Sequence, residues 1–113
     1  MSGETRPWGS YKVLHKEPGI QVKRIEIKPG KRFSLQKHLK RTEKWILVKG
    51  TALVTLGKKE VTVAAGSFIE VPRGKIHRME NKGRGRLVFI EVQFGDYLGE
   101  DDIVRFEDDF GRG

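Results

Sequence analysis

Residues 30–50 read GKRFSLQKHLKRTEKWILVKG, and the spacing of their polar side chains is the most informative pattern in the sequence. Between the terminal glycines of this stretch, one residue separates Gln36 from His38, and four residues separate His38 from Glu43. Successive side chains of a strand point to opposite faces, so Gln36 and His38 are expected on one face of one strand. Glu43 follows after a short turn and begins the next strand. The spacing therefore predicts that three polar side chains converge on one interior.

A second stretch, GSFIEVPRGKIHRMEN at residues 66–81, adds a fourth polar side chain. A Pro-x-Gly turn precedes His77, so a second hairpin can bring this histidine opposite the first three side chains. The sequence has no cysteine, which excludes a thiolate metal site. Two imidazoles, an amide oxygen and a carboxylate suit one divalent transition metal, with zinc favoured and manganese, iron, cobalt or nickel as alternatives. The predicted metal ligands are Gln36, His38, Glu43 and His77.

Short alternating segments around both motifs predict an all-β fold. The predicted strands are residues 21–27, 43–48, 51–56, 60–63, 67–71 and 87–94. Many short strands at regular spacing favour a sandwich or a barrel of about eight strands, and a jelly roll limits the free edges of the sheets. At 113 residues the chain is expected to form a single domain, residues 1–113, with residues 99–113 as a C-terminal tail or a short helix.

The formal net charge of +8 predicts an anionic partner, such as nucleic acid, acidic lipid or a phosphorylated metabolite. Nucleic acid is disfavoured because four aromatic side chains lie in strand or motif contexts that predict core positions rather than an exposed stacking surface. These are Trp8, Phe33, Trp45 and Phe94. No apolar run approaches the roughly 20 residues that span a bilayer, and no signal peptide is evident. We therefore expect a cytoplasmic protein with no membrane partner.

Both motifs together resemble the two conserved motifs of the cupin superfamily, with Gln36 in the place of the first histidine of the usual pair. A narrower resemblance extends over nearly the whole chain and is carried by the strings at residues 6–9, 22–25, 34–36, 41–45, 90–93 and 97–112. They are similar to the type II phosphomannose isomerase domain, usually the C-terminal part of a bifunctional enzyme with a mannose-1-phosphate guanylyltransferase half. The resemblance implies a single-domain cupin, a double-stranded β-helix or jelly-roll barrel.

The implied activity is the metal-dependent interconversion of mannose 6-phosphate and fructose 6-phosphate. The implied partners are a phosphorylated hexose, a second copy of the chain in a homodimer, and a separate mannose-1-phosphate guanylyltransferase. The sequence has no Gly-rich nucleotide loop, so nucleotidyl transfer is not expected of this chain.

An isomerase of this kind needs a base, an electrophile and an anchor for phosphate. Glu91 is the predicted base, because it lies in the middle of an apolar strand, where burial would raise its pKa. Arginines suit phosphate because the guanidinium offers two parallel hydrogen bonds. Arg41 and Arg105 are expected nearest the chemistry, and the predicted substrate-binding residues are Arg6, Lys23 and Arg112.

The sequence departs from the family at Leu39 and Lys40, where histidines are common, and at Lys44, where the family usually has the string Glu-His-Trp. Two alternatives therefore stay open. One is a non-catalytic cupin that binds a sugar phosphate or a sugar nucleotide. The other is a small oxidative cupin of the dioxygenase type, with iron as its metal.

Overall fold

A computed structural model describes residues 3–109, which form eleven strands and no helix. In chain order the strands are β1 (Gly3–Arg6), β2 (Gly9–Glu17), β3 (Ile20–Ile27), β4 (Leu35–Lys37), β5 (Thr42–Lys49), β6 (Thr51–Leu56), β7 (Lys59–Ala64), β8 (Phe68–Val71), β9 (His77–Asn81), β10 (Leu87–Phe94) and β11 (Val104–Glu107). Within these residues, no helix is long and apolar enough to cross a membrane.

The strands form two antiparallel sheets that enclose the core. The larger sheet has the order β1-β2-β3-β10-β5-β8, and the smaller has the order β11-β4-β9-β6-β7. The chain passes repeatedly from one sheet to the other, so strands distant in sequence become neighbours, as in a jelly roll. The all-β prediction is confirmed, and the six predicted strands correspond to β3, β5, β6, β7, β8 and β10.

The interior has an apolar half and a polar half. Along β3, β5 and β10, alternate side chains point between the sheets, and at one end of each strand they are apolar: Ile25, Ile27, Trp45, Leu47, Leu87 and Phe89. At the other end the buried inward side chains are polar: Gln21, Lys23, Glu43, Glu91 and Gln93. The strand register places polar residues beside polar residues, since Glu91 lies opposite Lys23 and Gln93 lies opposite Glu43. The polar half contains most of the predicted site.

Asn81, the last residue of the second motif, is buried and bonds three backbone groups. Its side-chain amide donates to the carbonyl oxygens of Ile27 at 2.8 Å and Gly85 at 2.9 Å, and its Oδ1 accepts from the Gly83 amide at 2.9 Å. Ile27 lies in the larger sheet and Asn81 in the smaller one. This buried side chain therefore joins the two sheets and shapes the turn that leads into β10.

The prediction that Phe94 lies in the core is wrong. Trp8, Phe33 and Trp45 are buried, but Phe94 is 37% exposed. Alternation along β10 gives the reason, since Glu91 and Gln93 point inward and the next side chain must point outward.

The sequence predicts a tail or a short helix for residues 99–113; residues 99–109 contain a strand and no helix, and residues 110–113 lie outside the described residues. Residues 104–107 form β11, which pairs with β4 and places Arg105 opposite Gln36. Pairing there satisfies backbone groups at the edge of β4, which an isolated tail would leave to solvent.

Candidate metal centre and cavity

Three of the four predicted metal ligands converge in the interior. His38 directly follows β4, Glu43 lies in β5 and His77 begins β9. One potential ligand atom from each of the three lies within 4.8 Å of the others. The Nε2 of His38 lies 3.2 Å from Oε2 of Glu43, and the Nε2 of His77 lies 4.0 Å from Oε1 of the same carboxylate. All three side chains are buried.

Both histidines use Nδ1 to bond a backbone carbonyl. The Nδ1 of His38 donates to the oxygen of Asp102 at 2.6 Å, and that of His77 donates to the oxygen of Lys75 at 2.9 Å. This arrangement places the lone pair on Nε2, as in many histidine metal sites. Burial lowers the pKa of His38 to about 4, assisted by the charge of Arg41, and lowers that of His77 to about 4 as well. Both rings are therefore neutral at pH 7, the form that binds metal.

The donor set fits a divalent metal. The Nε2 of His77 is buried and has no hydrogen-bond partner among the described residues. Such an orphan is rare, because nearly all buried polar side-chain atoms in proteins are partnered. Arg41 bonds the other two candidate ligands, through Nη2 to His38 Nε2 at 3.1 Å and through Nε to Glu43 Oε2 at 2.8 Å. A metal ion bound here would compete with Arg41 for the lone pairs of His38 Nε2 and Glu43 Oε2.

A cavity of about 130 Å³ opens beside these ligands. Gln36, His38 and Glu43 line it, whereas His77 is 1% exposed and does not. Gln36 lies directly opposite His77 in the pairing of β4 with β9. The fourth predicted ligand therefore lies beside His77 and shares the cavity wall with His38 and Glu43.

Glu91 also lines the cavity, and it is buried as predicted. Its Oε2 accepts from Gln93 at 2.7 Å, and its Oε1 accepts from the Trp45 indole at 3.2 Å. Burial, together with the negative charge of nearby Glu43, raises the pKa of Glu91 to about 7. The carboxyl is thus held by two neutral donors at the wall of the cavity.

Four of the predicted cationic side chains line the same cavity: Arg6, Lys23, Arg41 and Arg105. The buried Nε of Arg105 has no hydrogen-bond partner within residues 3–109. The Lys23 Nζ donates to Glu100 at 2.8 Å, and Arg6 bonds Glu4 at 2.7 Å. Arg112, the remaining predicted substrate-binding residue, lies outside the described residues.

Three contacts made by residues of the cavity wall were not predicted from the sequence. Gln93 orients Glu91, the Tyr11 ring lies 4.3 Å from the Lys23 Nζ, and Glu100 bonds the same ammonium group. Strand alternation contains the signal for Gln93, because it is two residues from Glu91. Tyr11 lies opposite the buried Ile25 in the pairing of β2 with β3, so a correct prediction of that register would have identified it. Glu100 has no such signal, since its position depends on a long-range connection.

The residues that depart from the family lie outside the cavity. Leu39 is 55% exposed, and the Lys40 Nζ lies over the exposed Tyr97 ring at 4.8 Å. Lys44 faces the outer side of β5, where its Nζ lies 3.9 Å from Glu70. None of these three side chains lines the cavity.

The family model described as "Mannose-6-phosphate isomerase C-terminal" matches residues 2–108. The chain belongs to this family. The xanthan biosynthesis protein XanB of Xanthomonas campestris is 50% identical over 107 residues, which are 95% of this chain and 23% of that protein. A mannose-1-phosphate guanylyltransferase of Sinorhizobium fredii is 45% identical over 104 residues, 92% of this chain and 20% of that protein. The chain thus spans between a fifth and a quarter of the length of these relatives.

Solved structures confirm the predicted fold. The oxalate decarboxylase of Lactobacillus farciminis superposes with a TM-score of 0.80 at 21% identity, covering 93% of this chain and 33% of that one. A Klebsiella pneumoniae protein with a double-stranded β-helix domain gives a TM-score of 0.74 at 20% identity, covering 85% of this chain and 77% of that one. This family member therefore has the double-stranded β-helix fold of cupins.

We expect about one zinc ion per chain, and we expect His77→Ala to weaken zinc binding by at least about 100-fold. Changes that only disturb the support of a ligand cost about 10 to 100-fold in affinity, so loss of a ligand should cost more. Calorimetric titration with zinc, followed by elemental analysis after dialysis, measures both quantities.

His15→Ala is the matched control, because His15 is exposed and bonds only the nearby Glu17 in the described chain. Circular dichroism shows whether each variant keeps its β structure. Equal zinc content in folded His77→Ala and His15→Ala would contradict the ligand assignment.

Proposed function

We propose that this chain is a metal-dependent isomerase that interconverts mannose 6-phosphate and fructose 6-phosphate. One observation carries the proposal: a single cavity is lined by candidate metal ligands, a buried carboxyl group and several cationic side chains. Aldose–ketose isomerisation needs those three kinds of group, namely an electrophile, a base and an anchor for phosphate. Membership of the family described as mannose-6-phosphate isomerase C-terminal supports this choice of reaction.

Glu91 is the proposed base. In the forward direction its carboxylate takes the proton from C2 of open-chain mannose 6-phosphate and returns it to C1, while the hydroxyl proton moves from O2 to O1. The intermediate is a cis-enediolate, so one carboxylate on one face of the sugar can serve both transfers. Hydrogen bonds from Gln93 and Trp45 fix the plane of the Glu91 carboxyl group and support this positioning.

The proposed metal is zinc, held by His38, Glu43 and His77 with Gln36 as the fourth ligand. A bound dication would supply positive charge beside O1 and O2 of the sugar, where negative charge develops. Arg41 would give up its contacts with His38 and Glu43 when the metal is bound. Because it already lines the cavity, its guanidinium would then be available to the substrate.

Arg105 is the proposed main anchor for the phosphate group. Arg105 lines the cavity, and its buried Nε is a donor that finds no acceptor among the described residues. Lys23 and Arg6 are further cationic groups at the same wall, where Lys23 bonds Glu100, and Arg6 bonds Glu4, which does not line the cavity. A phosphate dianion can replace such carboxylates because it offers more acceptor oxygens and more charge. The contribution of Arg112 stays a prediction.

Turnover is favoured over simple binding because the departures at Leu39, Lys40 and Lys44 lie outside the cavity. They therefore leave the proposed base and ligands in place. A homodimer and a separate mannose-1-phosphate guanylyltransferase as partner stay predictions.

We expect the zinc-loaded protein to convert fructose 6-phosphate to mannose 6-phosphate and, in D2O, to place deuterium on carbon. The enediolate intermediate exposes the transferred proton to exchange at the base. Glu91→Gln keeps the shape of the side chain but removes the base, so the rate should fall by about 100-fold or more. Proton and carbon NMR of the product mixture measure conversion and label together.

Glu60→Gln is the control, since Glu60 is exposed on β7, away from the cavity. The wild-type protein and this control should react at the same rate. If the metal-loaded wild type binds hexose 6-phosphate but gives neither product nor label, the chain is a sugar-phosphate binding protein and the isomerase proposal is wrong.

We expect Arg105→Lys to weaken the binding of fructose 6-phosphate by about 10-fold or more, because lysine keeps the charge but loses the planar fork of donors. The affinity for unphosphorylated fructose should change little. Calorimetric titration with both sugars gives the comparison.

Arg84→Lys is the matched control, because Arg84 is exposed and does not line the cavity. An equal loss of affinity for both sugars would contradict a phosphate role for Arg105. Tighter binding of duplex DNA than of fructose 6-phosphate at physiological salt would contradict the choice of ligand.

A further inference from the structure

Residues 99–107, here called the C-terminal segment, close one side of the cavity. Ile103 and Arg105 line the cavity from this segment, and Glu100 bonds the buried Lys23. A backbone bond from the amide of Asp102 to the oxygen of Gly99 at 3.2 Å turns the segment back on itself. The segment thus belongs to the site, although it lies far from the metal-binding motifs in sequence.

Asp102 contacts the metal-binding motif at three consecutive residues. Its backbone oxygen accepts from His38 Nδ1 at 2.6 Å. Its carboxylate accepts from two amides, with Oδ1 on Leu39 and Oδ2 on Lys40, both at 2.9 Å. Asp102 is 8% exposed, so these bonds form in a largely water-free environment. Neither the proposed chemistry nor the cavity wall uses its carboxylate.

We infer that Asp102 is a positioning residue for the metal ligand His38. Its carbonyl holds the proton on Nδ1 and keeps the Nε2 lone pair toward Glu43 and His77. Its carboxylate accepts hydrogen bonds from the two amides that follow His38, and these bonds hold the Asp102 carbonyl oxygen in place against the imidazole ring. The inference rests on the metal site proposed above.

The two histidines depend on different parts of the chain, which makes the inference specific. His77 bonds the oxygen of Lys75, two residues away in the same motif. His38 instead depends on a residue 64 positions later, in the C-terminal segment. A substitution at Asp102 should therefore change the orientation and tautomer of His38 and leave those of His77 unchanged.

Asp102→Asn is the first test, because asparagine keeps the size of the side chain but can accept only one of the two amide bonds without repulsion. We expect zinc to bind about 10 to 100-fold more weakly, the range seen when the support of a metal ligand is lost. Asp96→Asn is the control, since Asp96 is an exposed residue of the same sequence region. It should bind zinc as the wild type does.

Nitrogen-15 NMR of the histidine rings in the metal-free proteins is the second test. In the wild type, both rings should carry the proton on Nδ1. In Asp102→Asn, we expect the His38 signals to move toward a mixture of tautomers while the His77 signals stay in place. A general loosening of the fold would instead move both sets of signals, so His77 is an internal control.

Wild-type affinity for zinc together with unchanged His38 signals in Asp102→Asn would overturn the inference. An equal shift of both histidines would overturn it too. If the variant does not fold, the wild-type spectrum decides, because a His38 ring protonated on Nε2 contradicts the contact with Asp102. A wild type that binds no zinc would refute the metal site and its positioning role, while the ring signals would still test the contact itself.

Discussion

The buried negative charge of Glu43 organises the polar half of the interior. Its carboxylate is part of a side chain only 1% exposed, and a buried charge is costly unless it is paired and hydrogen-bonded. Arg41 supplies the opposite charge at 2.7 Å, and the Trp45 indole supplies a neutral donor at 3.0 Å. Removing one partner of such a pair typically costs about 3–5 kcal/mol. The interior therefore always needs a cation beside Glu43, whether the guanidinium or a metal ion.

Trp45 connects this charge to the proposed base and to the apolar core. Its indole N–H serves both Glu43 and Glu91, at 3.0 Å and 3.2 Å. Its ring packs against Phe89 with the centroids 5.4 Å apart. The residue thus lies where the polar and apolar halves of the interior meet. Because the indole N–H is shared between both carboxylates, a change in charge at Glu43 would alter the hydrogen bond at Glu91, the proposed base.

Short-range rules predicted the strands and the convergence of His38, Glu43 and His77, whereas the double-stranded β-helix was implied by the resemblance to cupins. Alternation along a strand put Glu91 on the inner face, and the turn before His77 allowed it to reach His38 and Glu43. The same rule, applied one residue further, would have put Phe94 on the surface. The role of the C-terminal segment could not be predicted in this way. Asp102 reaches His38 only because β11 pairs with β4, a contact that no local pattern encodes.

We propose that this chain alone holds one divalent metal through two neutral histidines and Glu43. X-ray absorption at the zinc K-edge of the loaded protein tests it most directly, since imidazole rings give a characteristic multiple-scattering signal. We expect two imidazole nitrogens at about 2.0–2.1 Å from the zinc ion, with oxygen atoms as the remaining ligands. A spectrum with only oxygen ligands and no imidazole signal would contradict it.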